Sequence, residues 1–277
     1  MIGLFHNEDQ MDNEHLSASA FTRQSVVFDD TYASNTIIQY KRARVRNHID
    51  QFLPHNSQIL ELNAGTGEDA IYFAQEGHQV HATDISSGML DKLRAKVKNQ
   101  KLENNISIEQ CSFTQLAGLK RKVPYNLIFS NFAGLNCTEN LEDVLRSFKP
   151  LLADNGLVTL VILPPFCMWE FLLLFKGKFK TAFRRLNSKT GADAHLEGIN
   201  FKCWYYSPSF IVHTLKDDYE LLGVEGLCSI VPPSYLEGFA EKYPKLFTKL
   251  KAFEDRHKAQ WPWKNIGDYY IITLRKK

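Results

Sequence analysis

The chain has 277 residues, 44% of them hydrophobic and 23% charged, with a formal net charge of +2. This is globular composition, and the length suffices for a full core without disulfides or metals. So small a basic excess argues against a dedicated nucleic-acid binder, and no nucleic-acid partner is expected. Cys111, Cys137, Cys167, Cys203 and Cys228 are scattered and include no C-x-x-C pair, which argues against a disulfide framework or a zinc site. They read as reduced thiols of a cytoplasmic protein. No basic segment followed by an apolar one opens the chain, so no signal peptide is expected. The most apolar stretch, 166–175, contains Glu170 and is shorter than the ~20 residues of a transmembrane helix.

In chain order, residues 1–25 are polar and mixed and read as a partly disordered segment or a mobile arm. A helix is predicted over 35–53, from Ile37, Ile38, Val45, Ile49 and Phe52 at helical spacing, and Pro54 ends it. Strands and helices then alternate: a buried strand at 58–63, a helix at 68–76 stopped by Gly77, and a strand at 79–85. Ser86 caps a helix to about 99. Strands follow at 106–112, 125–132 and 156–163, with a helix at 139–152 before the last. Apolar strands alternating with helices imply a parallel sheet covered on both faces. Pro164-Pro165 breaks the pattern and opens an insertion to about 207 with little strand character. A helix at 207–215 and a strand or strand pair at 219–230 follow. A second insertion from Pro232 is helical over 234–258, and an apolar strand at 269–274 closes the sheet.

The informative stretch is Ile59-Leu60-Glu61-Leu62-Asn63-Ala64-Gly65-Thr66-Gly67-Glu68-Asp69-Ala70. A strand runs into two glycines and then a helix, where backbone approaches a ligand closely and free N–H groups face it. Gly65-x-Gly67-x-x-Ala70 also fits the dinucleotide fingerprint, so an NAD-dependent oxidoreductase is the rival reading. Asp84, ending the next strand, suits the ribose of either cofactor. Glu61 discriminates. A carboxylate just before the turn would repel a pyrophosphate but favour the sulfonium and ammonium of S-adenosylmethionine, unless it only holds the loop.

Glu61-Leu62-Asn63-Ala64-Gly65-Thr66-Gly67, and then Val80-His81-Ala82-Thr83-Asp84-Ile85-Ser86-Ser87-Gly88-Met89-Leu90, resemble motifs I and II of class I S-adenosylmethionine-dependent methyltransferases. The stretch from Gly67 to Leu90 is similar to small-molecule members such as glycine N-methyltransferase and quinone C-methyltransferases. The resemblance covers about 58–165, and the strand at 268–275 fits the family's closing antiparallel strand. It implies an α/β fold: a Rossmann-like, doubly wound, seven-stranded sheet with the last strand antiparallel, plus helical caps at about 164–207 and 232–265. Residues 1–53 would be an arm and helix over the active site, and 54–277 the methyltransferase domain. Glu61 would anchor the loop and the methionine amino group. Asn63, Ala64, Gly65 and Gly67 would pass under the methionine part. Asp84 would hold the ribose, with Ile85 and Met89 against the adenine and Ser112 and Phe113 at its edge. Asn131 and Phe132 would lie beside the methyl donor.

Three positions depart from the pattern. Asn63 stands for the usual first glycine, and Cys111-Ser112 stands where an Asp is common. Ser130-Asn131-Phe132-Ala133 lacks the Asn/Asp-Pro-Pro-Tyr signature, which argues against nucleobase or glutamine amino groups as acceptors. The first and third leave a non-catalytic S-adenosylmethionine-binding protein as an alternative. In the arm, Tyr32 would close over the sulfonium. Arg44 either pairs with the cofactor carboxylate or lies on a solvated face with Lys41, Arg42 and Arg46. Phe175, Phe179, Phe183 and Leu186 can share a helical face edged by Lys176, Lys178, Lys180, Arg184 and Arg185, as a lid or a membrane-surface contact. The expected acceptor is a small molecule, lipophilic or acidic. Glu170, His195, His213 and His257 are candidate bases, none singled out, and no metal-ligand cluster is apparent.

Overall fold

The computed structural model describes residues 2–32, 34–186, 190–236 and 238–277. Nine strands are assigned among these residues: β1 (Gln58–Leu62), β2 (Gln79–Asp84), β3 (Ile106–Gln110), β4 (Tyr125–Ser130), β5 (Leu152–Ile162), β6 (Ala192–Leu196), β7 (Ile199–Cys203), β8 (Tyr219–Leu227) and β9 (Tyr269–Lys276). Seven form one sheet in the order β3-β2-β1-β4-β5-β9-β8. The first five run parallel, and β9 is antiparallel to both its neighbours. This is the expected Rossmann-like, doubly wound α/β sheet. Strand order reverses between β1 and β4, so a crevice opens beyond their carboxyl ends.

The strands are apolar because both faces are covered. Leu60, Leu62, Ile128, Val158 and Leu160 pack on one side against α6 (Leu141–Arg146) and α9 (Pro208–Leu215), through Leu145, Ile211 and Leu215. Ile59, Val80, Ala82, Leu127 and Phe129 pack on the other. They meet Val45 and Ile49 of α3 (Thr36–Ile49), Phe73 of α4 (Glu68–Gln75), and Leu90 and Leu93 of α5 (Ser87–Asn99). Asn35 caps α3 and Ser86 caps α5, each side chain accepting backbone N–H groups of the first turn.

Two expectations are corrected. Residues 1–25, expected as a mobile arm, contain the helix α1 (Ile2–Gln24), followed by α2 (Phe28–Tyr32). Its anchors are remote in sequence. Asn13 donates to the Cys137 carbonyl at 2.9 Å and accepts from the Lys202 amide at 2.6 Å, and the Thr22 and Ser86 hydroxyls meet at 2.8 Å. The first insertion, expected to have little strand character, contains the antiparallel hairpin β6–β7, on which α1 packs. Its amino-terminal half is not one helix. It divides into α7 (Met168–Phe171), a 3-10 stretch Leu172–Lys176, α8 (Phe179–Phe183) and a 3-10 turn Arg184–Leu186. Gly177 between them takes the left-handed conformation, φ +70°. The second insertion carries α10 (Phe239–Lys242) and α11 (Pro244–His257). Among the described residues, no helix is long and apolar enough to cross a membrane.

Candidate active site

A cavity of about 450 Å³ lies at the carboxyl ends of β1, β2 and β4 and is also lined by α1, α2 and α3. The turn after β1 forms its floor. Asn63, Gly65 and Gly67 all have positive φ, at +55°, +56° and +83°. Asn63 fills the position of the missing glycine because asparagine tolerates the left-handed region. Its side-chain amide donates to the Ser130 hydroxyl at 3.1 Å and occupies the space a Cβ on Gly134 would need, 2.3 Å from its Nδ2.

Three acids surround this turn. Asp84 is buried and accepts the Gly65 amide at 2.9 Å through Oδ2 and the Ser86 amide at 2.8 Å through Oδ1. Burial nonetheless pushes its carboxyl above the usual range. Asp69, in the first turn of α4, is also buried. Arg42 and Arg46 pair with it and the Asn131 amide donates to it at 2.8 Å. Burial would raise its pKa, but the two arginines overcome that and hold it below the ordinary value. Glu61 is the opposite case. Burial first, and then the Asp69 charge, push it well above the carboxylate range. Its Oε2 has no hydrogen-bond partner among the described residues although Glu61 lines the cavity. An unpartnered buried carboxylate oxygen beside the glycine turn is what a cationic ligand group would satisfy.

Beyond β4 the chain turns sharply. Phe132 and Ala133 are both left-handed, at φ +46° and +65°, a conformation that costs about 1–2 kcal/mol per residue. The Phe132 ring is thereby set edge-on to Tyr269, centroids 5.8 Å apart, with the Lys41 ammonium 5.3 Å and the Arg42 guanidinium 5.0 Å from its centre.

Of the residues expected to hold cofactor, Tyr32, Glu61, Asn63, Ala64, Gly65, Gly67, Asp84, Ile85, Met89, Phe113, Asn131 and Phe132 line this cavity. The assignment of Arg44 to the cofactor carboxylate is corrected. Arg44 is buried on the far side of α3, paired with Glu225 at 3.1 Å and Glu254 at 3.3 Å, and its neighbours Lys41 and Arg42 reach the cavity instead. Neither is Arg44 solvated. Ser112 does not line the cavity and donates to Glu14 of α1. Glu14 itself lines the cavity with Ser17, Phe21 and Gln24. None of these α1 residues carried a signal, since nothing local to 1–25 marks which side meets the sheet. Gln24 donates to the Tyr32 hydroxyl at 3.1 Å.

Of the candidate bases, His195 of the hairpin lines the cavity, its Nδ1 2.7 Å from Asn200 Oδ1. Glu170 is held by Arg184 and Arg185, and neither His213 nor His257 lines the cavity. Cys167, Glu170 and Asp268 bring ligand-type atoms within 4.8 Å of one another. Arg185 bridges both carboxylates, at 2.6 and 2.9 Å, and burial pushes the thiol up to about 11. The group is a closed ion-pair network.

Residues 59–156 match the family described as "Methyltransferase domain". The chain therefore carries a methyltransferase domain, whose methyl donor is S-adenosylmethionine. It is 25% identical over 252 residues to the tRNA 5-carboxymethoxyuridine methyltransferase of Escherichia coli K12, covering 86% of this chain and 88% of the relative. Its fold is similar to a solved S-adenosylmethionine-dependent methyltransferase of Listeria monocytogenes, with a TM-score of 0.58, 17% identity, and coverage of 86% of this chain and 98% of that one. It is similar also to 1,6-didemethyltoxoflavin-N1-methyltransferase of Burkholderia thailandensis, solved with S-adenosylhomocysteine, with a TM-score of 0.56, 13% identity, and coverage of 95% and 88%. The methyltransferase's cofactor is S-adenosylmethionine, which sets aside the NAD reading and agrees with an unpartnered acid where a pyrophosphate would otherwise lie.

Proposed function

We propose that this methyltransferase transfers the methyl group to a carboxylate oxygen of a small organic acid. The observation that carries this reading is Lys41. It is 3% exposed and lines the cavity, with its ammonium 4.7 Å from the centre of the Tyr269 ring. It donates to the Ser234 hydroxyl at 3.1 Å. The carboxylate it pairs with, Asp268, stands 3.8 Å away and is held more closely by Arg185 at 2.9 Å. A buried ammonium so loosely neutralised favours an anion in the adjoining space.

S-adenosylmethionine supplies an activated methyl carbon. Glu61 would hold its ammonium, Asp84 its ribose hydroxyls, and Ile85, Met89 and Phe113 its adenine. Lys41 would hold the acceptor carboxylate, with Ser234 beside it. An ionised carboxylate is already a nucleophile, so this chemistry requires no general base, and alignment supplies much of the rate. The cavity volume is within the range of small-molecule sites.

A tRNA acceptor is the second reading. It is favoured by the relative above, whose named nucleoside also bears a carboxymethoxy group. Incubation with methyl-labelled S-adenosylmethionine and either a panel of aliphatic and aromatic acids or bulk tRNA separates the two. The expected product is a base-labile methyl ester of a small acid. Lys41→Met is expected to lower kcat/KM for the acid by about 30-fold or more, the loss of one buried charged contact, while S-adenosylhomocysteine binds as before. Label in tRNA and none in acids would overturn the small-acid reading. Undiminished acid methylation by the variant would overturn the role of Lys41.

A further inference from the structure

The segment 171–186 leaves its largest apolar side chains in water. Phe175 is 85% exposed, Phe179 63% and Leu186 60%, and Phe171, Leu172 and Phe183 are also exposed. Single exposed hydrophobics are ordinary, but six within sixteen residues are not. Lys176, Lys178, Lys180 and Arg184 are exposed among them, and the sequence has no acidic residue from 171 to 192. The base of the segment is fixed. Glu170 is buried and takes Arg184 at 2.5 Å and Arg185 at 2.6 Å, and Arg185 continues to Asp268 on the core. The exposed residues are thus presented from an anchored foot. Tyr235, half exposed, lies close enough to this network to feel the charges of Glu170 and Arg185.

We propose that this face docks on the surface of an anionic lipid bilayer, the phenylalanines and leucines entering the acyl boundary and the lysines meeting the headgroups. Charge complementarity selects an anionic surface. The apolar set selects lipid over RNA, because leucines 172 and 186 offer nothing to a phosphate backbone or to base stacking. The lysines alone would add electrostatic attraction that falls with salt. The same network links this face to the cavity, since Asp268 pairs with both Arg185 and Lys41. The proposal holds whether the acceptor is a small acid or not.

The test is co-sedimentation of the full chain with phosphatidylcholine vesicles, with and without phosphatidylglycerol. Binding to the mixed vesicles is expected, at least about tenfold stronger than to phosphatidylcholine alone and weakened by salt. Phe175→Ser with Phe179→Ser is expected to lower it a further tenfold or so. Both side chains are exposed, so thermal melting and S-adenosylhomocysteine binding should match wild type. Wild-type protein left in the supernatant with anionic vesicles would overturn the proposal, as would equal binding by the double variant. A dimer on gel filtration that the double variant dissolves would give this face to a second copy of the chain and overturn it too. Vesicle binding does not depend on turnover, so its failure is distinct from failure of the acid-methylation reading.

Discussion

Replacing Glu61 by glutamine should separate cofactor binding from stability. The side chain is buried, its Oε2 is unpartnered among the described residues, and it lines the cavity beside the glycine turn. Burial and the Asp69 charge raise its pKa, so the ionised form is the disfavoured one in the free protein. The sign follows. Stability associated with the neutral acid is complete below the ordinary carboxylate pKa and is lost as pH rises through the folded value. Glu61→Gln removes that loss, so the free variant should melt no lower than wild type, and higher at alkaline pH. Cofactor binding should move the other way. An ammonium meeting a buried carboxylate is worth about 2–5 kcal/mol when one partner is removed, or about 30-fold to several thousand-fold in Kd. Titration calorimetry with S-adenosylhomocysteine reads this directly. Wild-type affinity should increase with pH across the titration of Glu61, with proton release visible as a dependence on buffer ionisation enthalpy, and the variant should show neither. A variant that binds within about twofold of wild type, or melts well below it, would refute the reasoning.

Gly67→Ala should destabilise the free enzyme by about 1–3 kcal/mol, because Gly67 sits at φ +83° and an added Cβ would fall 2.0 Å from Leu93 Cδ1. Denaturant melts check this, and an unchanged midpoint would count against the turn geometry. Acid lability should depend on Glu225. Burial pushes it up, but His48, 3.0 Å away, and then Lys258 and Arg44 take it down to about 2. Its contribution is therefore complete above the ordinary carboxylate value and is lost as pH falls towards about 2. Allowing for solvent screening, this amounts to roughly 1–3 kcal/mol. In a pH series of thermal melts, Glu225→Gln should show a shallower fall on the acid side, and parallel curves would argue against it. Removal of Glu14, which accepts from Ser112 and Thr114, should release α1 from the cavity and speed proteolysis within residues 1–25. S-adenosylhomocysteine should no longer slow that cleavage.

The apolar strands, the glycine turn with Glu61, and Asp84 one strand later were all legible in the sequence. Each follows from local chemistry: a strand buried on both faces must be apolar, and a tight turn needs residues that accept positive φ. The residues of the glycine turn, with Glu61 and Asp84, do line one cavity for this reason. The arm and caps were not legible, because their meaning lies in partners far along the chain. Arg44 and Arg42 are both arginines of one helix, and only the rotation of α3 against the sheet sends one to Glu225 and Glu254 and the other to Asp69. Residues 1–25 are polar, yet Asn13 and Glu14 find partners over a hundred residues away or nearly so. The hairpin β6–β7 is short and its strands are only half buried, so their pattern is weak until α1 lies against them. Sequence by itself determined the cofactor-binding floor, because that floor is built from consecutive residues. Only the tertiary structure decided the rest of the cavity lining, because it brings together Lys41, His195, Ser234 and Tyr269, which no local rule connects.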